Sequence, residues 1–224
     1  MQSPKPAKPR EKKKDAKTAY HHGDLRAALT EKALALVRKR GIEAFSLREA
    51  AERVGVSPSA VYRHFADKGA LLAAVAKAGF TALAVETEAA ITQAKHKRDG
   101  DLAILDATGI SYLLFALAHP EQFRVMFGPY GAGSKYDVRV TDSLTRGPYQ
   151  QLIDALTALE KQNRLRLSVD TAALQAWSFT HGLAYLLLDG VLPLPEGDAA
   201  NFVAKQVSGM TNQFVIPRGT ARMS

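Results

Sequence analysis

The chain has 224 residues, 46% of them hydrophobic, which suits one domain of moderate size or a small module joined to a larger one. It contains no cysteine, which excludes disulfides, thiolate metal sites, iron–sulfur clusters and thiol redox chemistry. The net charge is +8, and residues 1–65 hold all of it, with fifteen Lys/Arg against seven Asp/Glu; residues 66–224 carry fifteen of each. A basic end on a neutral body is the layout of a chain that presents one end to a polyanion.

Residues 1–19 combine three prolines and seven Lys/Arg with almost no apolar residues. Such a segment buries too little surface to offset its ordering entropy, so it is predicted to be a disordered basic tail. Its charged stretch is not followed by an apolar run of the secretory kind. Thr171 to Leu188 lacks formal charge and is long enough to span a bilayer. It also contains Gln175, Ser178, Thr180 and His181, and reads as a buried helix. A soluble cytoplasmic protein is the expectation.

Asp24 to Arg40 is predicted helical, with Asp24 able to cap its start, Leu25, Leu29, Leu36 and Val37 on one face, and Gly41 ending it. Ser46-Leu47-Arg48-Glu49 is a capping box, in which the serine takes an orphan amide and the glutamate reaches back. A short helix follows to Val54, and Gly55 breaks it. Ser57-Pro58 opens another, with serine as N-cap and proline where its missing N–H costs nothing. That helix is expected to end near His64 or Phe65. Asp67-Lys68 opens a longer one with Leu72, Val75, Gly79 and Ala82 on one stripe.

Beyond Gly100 the period remains helical. Leu102, Leu105, Thr108, Tyr112 and Phe115 form one stripe, closed by His119-Pro120, a candidate hinge. Glu121 to Phe127 is a short helix, and Gly128 to Ser134 a loop. Further helices are expected over about Asp137–Asn163, Val169–Val191 and Gly197–Val215. Long strand-like alternation is missing, so the fold class is all-α with about nine helices.

The two short helices satisfy the demands of a helix-turn-helix unit. Ala51 is the small residue at the helix crossing. Gly55 supplies a turn that tolerates positive φ. Val61 faces inward from the second helix, with Val54 and Val56 as further anchors. The second helix of such a unit lies in the DNA major groove with its N-terminal residues toward the base edges. Ser57, Ser59 and Ala60 are short enough for close approach, and the polar tips of Tyr62 and His64 can reach phosphates. Lys68 joins its charge to the free amides of a helix start. Arg48 is placed to read a guanine edge or clamp a phosphate, or to pair with Glu52. Tyr20 completes the set of expected DNA contacts, and Phe65 is expected in the core.

Residues 20–80, above all GVSPSAVYRHFADKGALL, resemble the DNA-binding end of the TetR/AcrR transcriptional regulators. AWSFTHGLAYLLLDG (176–190) and HPEQFRVMFG (119–128) are similar to the C-terminal class of that family with a Trp-His-Gly signature. The resemblance implies a basic tail (1–19), a helix-turn-helix domain (20–66), a helical ligand-binding and dimerisation domain (67–216) and a C-terminal tail (217–224). It implies a homodimer on an operator of inverted symmetry, usually a repressor. It further implies a small-molecule effector that enters the body and alters the spacing of the two reading heads.

From the residues themselves, Leu105, Thr108, Tyr112, Phe115, Phe123, Met126, Tyr149, Trp177 and His181 are candidates to line a ligand cavity, against plain core packing. Val203, Val207, Met210 and Phe214 recur at helical steps in the last helix. With the helix before it, they could form an isologous interface with a second copy, or simply cover the core. The glycine-rich GPYGAGSK lacks the Gly-Lys-Ser/Thr order of a phosphate loop. There is no G-x-S-x-G, no H-E-x-x-H and no local metal motif, so neither catalytic residues nor a cofactor are expected. The alternative of a different class is a nucleoid-like adaptor that binds DNA without sequence choice. A third, an enzyme using the body's pocket, has no catalytic group to support it.

Overall fold

The computed structural model describes residues 22–97, 100–131, 147–195 and 197–217. Among these are nine helices: α1 (His22–Arg40), α2 (Leu47–Val54), α3 (Pro58–Tyr62), α4 (Lys68–Ala94), α5 (Gly100–Ala118), α6 (Pro120–Phe127), α7 (Pro148–Glu160), α8 (Val169–Leu188) and α9 (Ala199–Phe214). The fold is all-α. The one extended pairing among the described residues is an isolated antiparallel bridge between Leu165 and Val215. There the buried Arg164 donates from Nε to the Ile216 carbonyl (3.0 Å), clasping the end of α9 to the turn before α8.

Boundaries follow the local chemistry, with three departures from expectation. Gly41 ends α1 at φ +78°, its N–H bonded to the Val37 carbonyl at 2.8 Å. The helix already runs at His22, so Asp24 lies inside its first turn rather than at its cap. α3 stops at Tyr62, short of His64 and Phe65, whose amides both close back on the Val61 carbonyl. α7 begins at Pro148, where proline costs no helical hydrogen bond. The part of its expected span before residue 147, like the basic tail and Tyr20, lies outside the described residues.

α1, α2 and α3 form a head around Leu29, Val37, Phe45, Ala51, Val61 and Phe65. α4, about 40 Å long at 1.5 Å per residue, carries the same buried cluster into the body through Leu71, Leu72 and Val75. There it meets Leu113, Phe115, Phe123, Met126 and Val207. The α4–α6 crossing is close because position 79 is glycine; a Cβ there would sit 2.5 Å from Met126 Sδ. α4 and α5 are each long and apolar enough to cross a membrane by length and composition alone, and about half of each apolar stretch is buried inside the protein. A second cluster joins Leu105 to α7, α8 and α9 through Leu156, Leu159, Ala172, Ala176 and Phe214. Asp106 on α5 ties α9 down by accepting from the hydroxyls of Ser208 and Thr211, both at 2.7 Å.

Val203, Val207, Met210 and Phe214 are all buried within the subunit's own core, which fits the alternative that they cover it. α9 packs on α5 and α8, and its apolar stripe is consumed there. His119 stands at the α5–α6 junction as the residue before Pro120. Its Nδ1 lies 3.1 Å from an Arg38 guanidinium nitrogen on α1, and its Nε2 lies 3.8 Å from Glu86 Oε1 on α4. One side chain thus touches the last turn of the head's first helix and the long connecting helix.

Candidate nucleic-acid interface and body cavity

The head is held by caps. Ser46 Oγ accepts from the Glu49 N–H at 3.2 Å. The reciprocal half of the expected capping box is replaced: the Glu49 carboxylate faces Arg40 at 2.8 Å and Arg53 at 3.9 Å. Gly55 adopts φ +76°, a left-handed conformation that glycine enters without penalty, and the Val56 N–H returns to the Ala51 carbonyl at 3.0 Å. Ser57 Oγ accepts from the Ala60 N–H (3.3 Å) and lies 2.9 Å from Ser59 Oγ. These bonds set α3 across α2, with Ala51 and Val61 both fully buried between them.

The outer edge of α3 then presents Ser57, Ser59, Tyr62 and Arg63 to solvent. Tyr62 is 59% exposed, unusual for an aromatic ring on so small a helix. Phe65 is buried, as expected. Ala60 is not on the edge. It is buried beside Val61, because a helix that turns Ser59 and Tyr62 outward turns the residues between them inward. Arg48 is exposed on α2, and His64 is half-buried at the far end of α3.

Two cations brace this edge. Arg26 on α1 donates to the His64 carbonyl at 2.9 Å, with its guanidinium 4.5 Å from the centre of the Phe65 ring. It fixes the end of α3, and sequence periodicity gave no signal of it because its partner is a backbone carbonyl 38 residues away. Lys68 Nζ donates to the Glu43 carbonyl at 3.0 Å and lies 5.8 Å from the centre of the Phe45 ring. An ammonium has three donors, and this bond uses one. Asp67 caps α4 through a 2.7 Å bond from the Ala70 N–H.

In the body, α4, α5, α6, α7, α8 and α9 line a partly open cavity of about 570 Å³. Leu105, Thr108, Tyr112, Tyr149 and Trp177 stand on its wall. Phe115, Phe123 and Met126 do not: they are among the most deeply buried side chains and fill the core beneath α6. His181 also lies off the wall, with its Nδ1 2.8 Å from the Tyr112 hydroxyl. The wall also includes Phe80, Leu83 and Thr87 of α4 and Val207 and Met210 of α9. Their three- and four-residue spacing is visible in the sequence but equally fits plain core. Thr87 Oγ1 is buried with no hydrogen-bond partner among the described residues.

Burial pushes the Tyr112 phenol well above its ordinary value, with a hydrogen bond from Trp177 pulling the other way. Burial also pushes His181 below its ordinary value. Both groups are therefore neutral near pH 7. Phe127 and Tyr185 pack on the imidazole, with centroids at 4.7 and 5.0 Å. Tyr149 and Trp177 are partly exposed and stack at 5.4 Å.

Residues 29–75 match the family model for bacterial regulatory proteins of the tetR family, and residues 105–210 match that for the tetracyclin repressor-like C-terminal domain. The chain belongs to the TetR family. It is a DNA-binding transcriptional regulator, and the α2–α3 unit is the family's helix-turn-helix. Solved TetR-like structures share its architecture. A protein of unknown function from Rhodococcus sp. RHA1 is 29% identical, with TM-score 0.72, covering 88% of this chain and 99% of its own. A regulatory protein of the tetR family from Rhodococcus RHA1 is 19% identical, with TM-score 0.58, covering 86% and 98%. SmeT, solved as a complex with triclosan, is 16% identical, with TM-score 0.60, covering 89% and 96%. No curated protein matches the sequence.

Proposed function

We propose that this TetR-family chain is a ligand-responsive repressor that binds a palindromic operator as a homodimer and is released by a small molecule. The observation that carries the reading is the outer edge of α3. It is a five-residue helix whose inner side is fully buried and whose outer side offers two serine hydroxyls and an exposed tyrosine. That edge belongs to the third of the chain that holds the whole positive excess. In this reading Ser57 and Ser59 approach base edges, Arg48 reads a base or clamps a phosphate, and Tyr62, His64 and Lys68 hold the backbone. Residues 20–66 form the reading domain and 67–216 the ligand-binding and dimerisation domain. Tyr20, just before α1 in the sequence, is a further contact in this reading.

The partner copy is assigned to α8 and α9. Leu174 and Leu186 on α8 are exposed at 60% and 42%. Gly182 on α8 and Gly209 on α9 have open space where a Cβ would point, which suits close approach of another helix. The cavity supplies the effector site, and the SmeT–triclosan complex shows one protein of the same fold holding a small molecule. The chain acts in the cytoplasm and not as an enzyme. A second reading, DNA binding without sequence choice, draws on the basic N-terminal tail.

Fluorescence anisotropy on a labelled duplex pool tests this reading. Affinity is expected to fall steeply with salt, as counterion release requires. Tyr62→Phe and Lys68→Ala should weaken binding to all sequences alike, and Arg48→Ala should relax preference at one position per half-site. Parent-like behaviour of all three variants would remove the assignment.

A further inference from the structure

We infer that the body cavity selects a neutral, largely apolar ligand with a flat aromatic part, and excludes ions of the same shape. The inference rests on the reading of this cavity as the effector site. Every side chain on its wall among the described residues is uncharged, and five are aromatic: Phe80, Tyr112, Phe127, Tyr149 and Trp177. Aromatic rings lining a site of this volume favour a flat, apolar guest.

The polar groups of the wall are largely committed elsewhere. Thr108 donates to the Leu105 carbonyl at 2.7 Å, Thr180 to the Ala176 carbonyl at 2.9 Å, and Thr211 to Asp106 at 2.7 Å. The Tyr112 hydroxyl is bonded to His181. The described ionisable groups nearby stand behind the wall rather than on it. Asp106 is turned to Ser208 and Thr211. Glu88 faces the Gln151 amide at 3.3 Å, and Arg124 is paired with Asp189 at 2.6 Å. A charged ligand would lose its hydration and find no partner ion on the wall among the described residues, where the unpartnered Thr87 hydroxyl is too little to replace that hydration. A neutral ligand loses little and gains ring contacts.

The chain has a single tryptophan, Trp177, and it stands on the wall, so its emission reports occupancy. The experiment titrates the full chain at pH 7 with para-phenylazobenzyl alcohol, its carboxylate and its benzylammonium analogue. These are three quenchers of one shape and different charge. The alcohol should quench Trp177 saturably and bind at least about tenfold tighter than either ion. Ala176→Leu, which fills the cavity, should weaken the alcohol's binding. Tyr149→Ala, at a half-exposed position, should do so with little effect on folding. An ion that binds as tightly as the alcohol overturns the inference, and so does the absence of saturable quenching by all three. Duplex binding measured on the same samples keeps these failures apart from that of the regulator reading. A chain that still selects DNA but takes the ion is a regulator of another ligand class, whereas one that selects no DNA refutes the regulator itself.

Discussion

The head and the body are built from helices by the same packing rules, yet they put their chemistry on opposite sides. In the head, Val61 and Phe65 are buried so that Ser59 and Tyr62 can face water. In the body, Leu105, Thr108 and Tyr112 turn away from water to surround a space. The difference teaches that an outward-facing site and its supporting core fall on opposite sides of a helix. An inward-facing site shares its side with the core.

The largest effect that would sharpen this contrast comes from the support of the reading edge. Phe65→Ala should cost about 3–5 kcal/mol in chemical denaturation, by loss of a fully buried ring, and should abolish DNA binding with it. Gly55→Ala comes next. A Cβ there meets nothing within 4 Å, so its cost is the left-handed backbone alone, about 1–2 kcal/mol by thermal denaturation. A neutral result would mean the turn relaxes and the α2–α3 angle is not held by glycine.

Tyr62→Ala separates edge from support. It should lower duplex affinity by roughly three- to tenfold, about 1 kcal/mol, with the melting temperature unchanged. A large loss of stability would place Tyr62 with the core. The smallest effect belongs to the body. The folded-state value of His181 is depressed by burial from its ordinary 6.5, so below that pH the unfolded chain binds the extra proton. Stability should therefore decline as pH drops below about 6.5 and level off beneath the depressed value. His181→Gln should flatten that decline in melting temperature between pH 7 and pH 5. An unchanged slope would assign it to other groups.

Much of the head was legible because its signals are local. Caps at Ser46 and Ser57, a turn glycine and the inward Val61 act within a few residues, and the structure places them as the spacing predicts. The small size of Ala60 suits close approach to a ligand, but the helical phase it shares with Val61 decides its side and buries it. Glu49 was drawn from its capping role by Arg40, a partner in another helix that no local motif reveals. In the body, Phe115, Phe123 and Met126 share periodicity and chemistry with the true wall residues Leu83 and Val207. Which of them meets a void depends on how six helices splay, and no single-helix pattern records that. His181 was tied to Tyr112 across 69 residues of sequence, beyond the reach of any stripe on α8.

Selection from a random duplex pool by the purified full chain tests the central claim most directly. The account predicts enrichment of an inverted repeat, with half-site centres separated by about one helical turn or a multiple of it. It also predicts that the Arg48→Ala protein, carried through the same selection, loses preference at one position in each half. A pool that emerges unenriched, or an identical motif from both proteins, would contradict the placement of α3 and Arg48 against DNA.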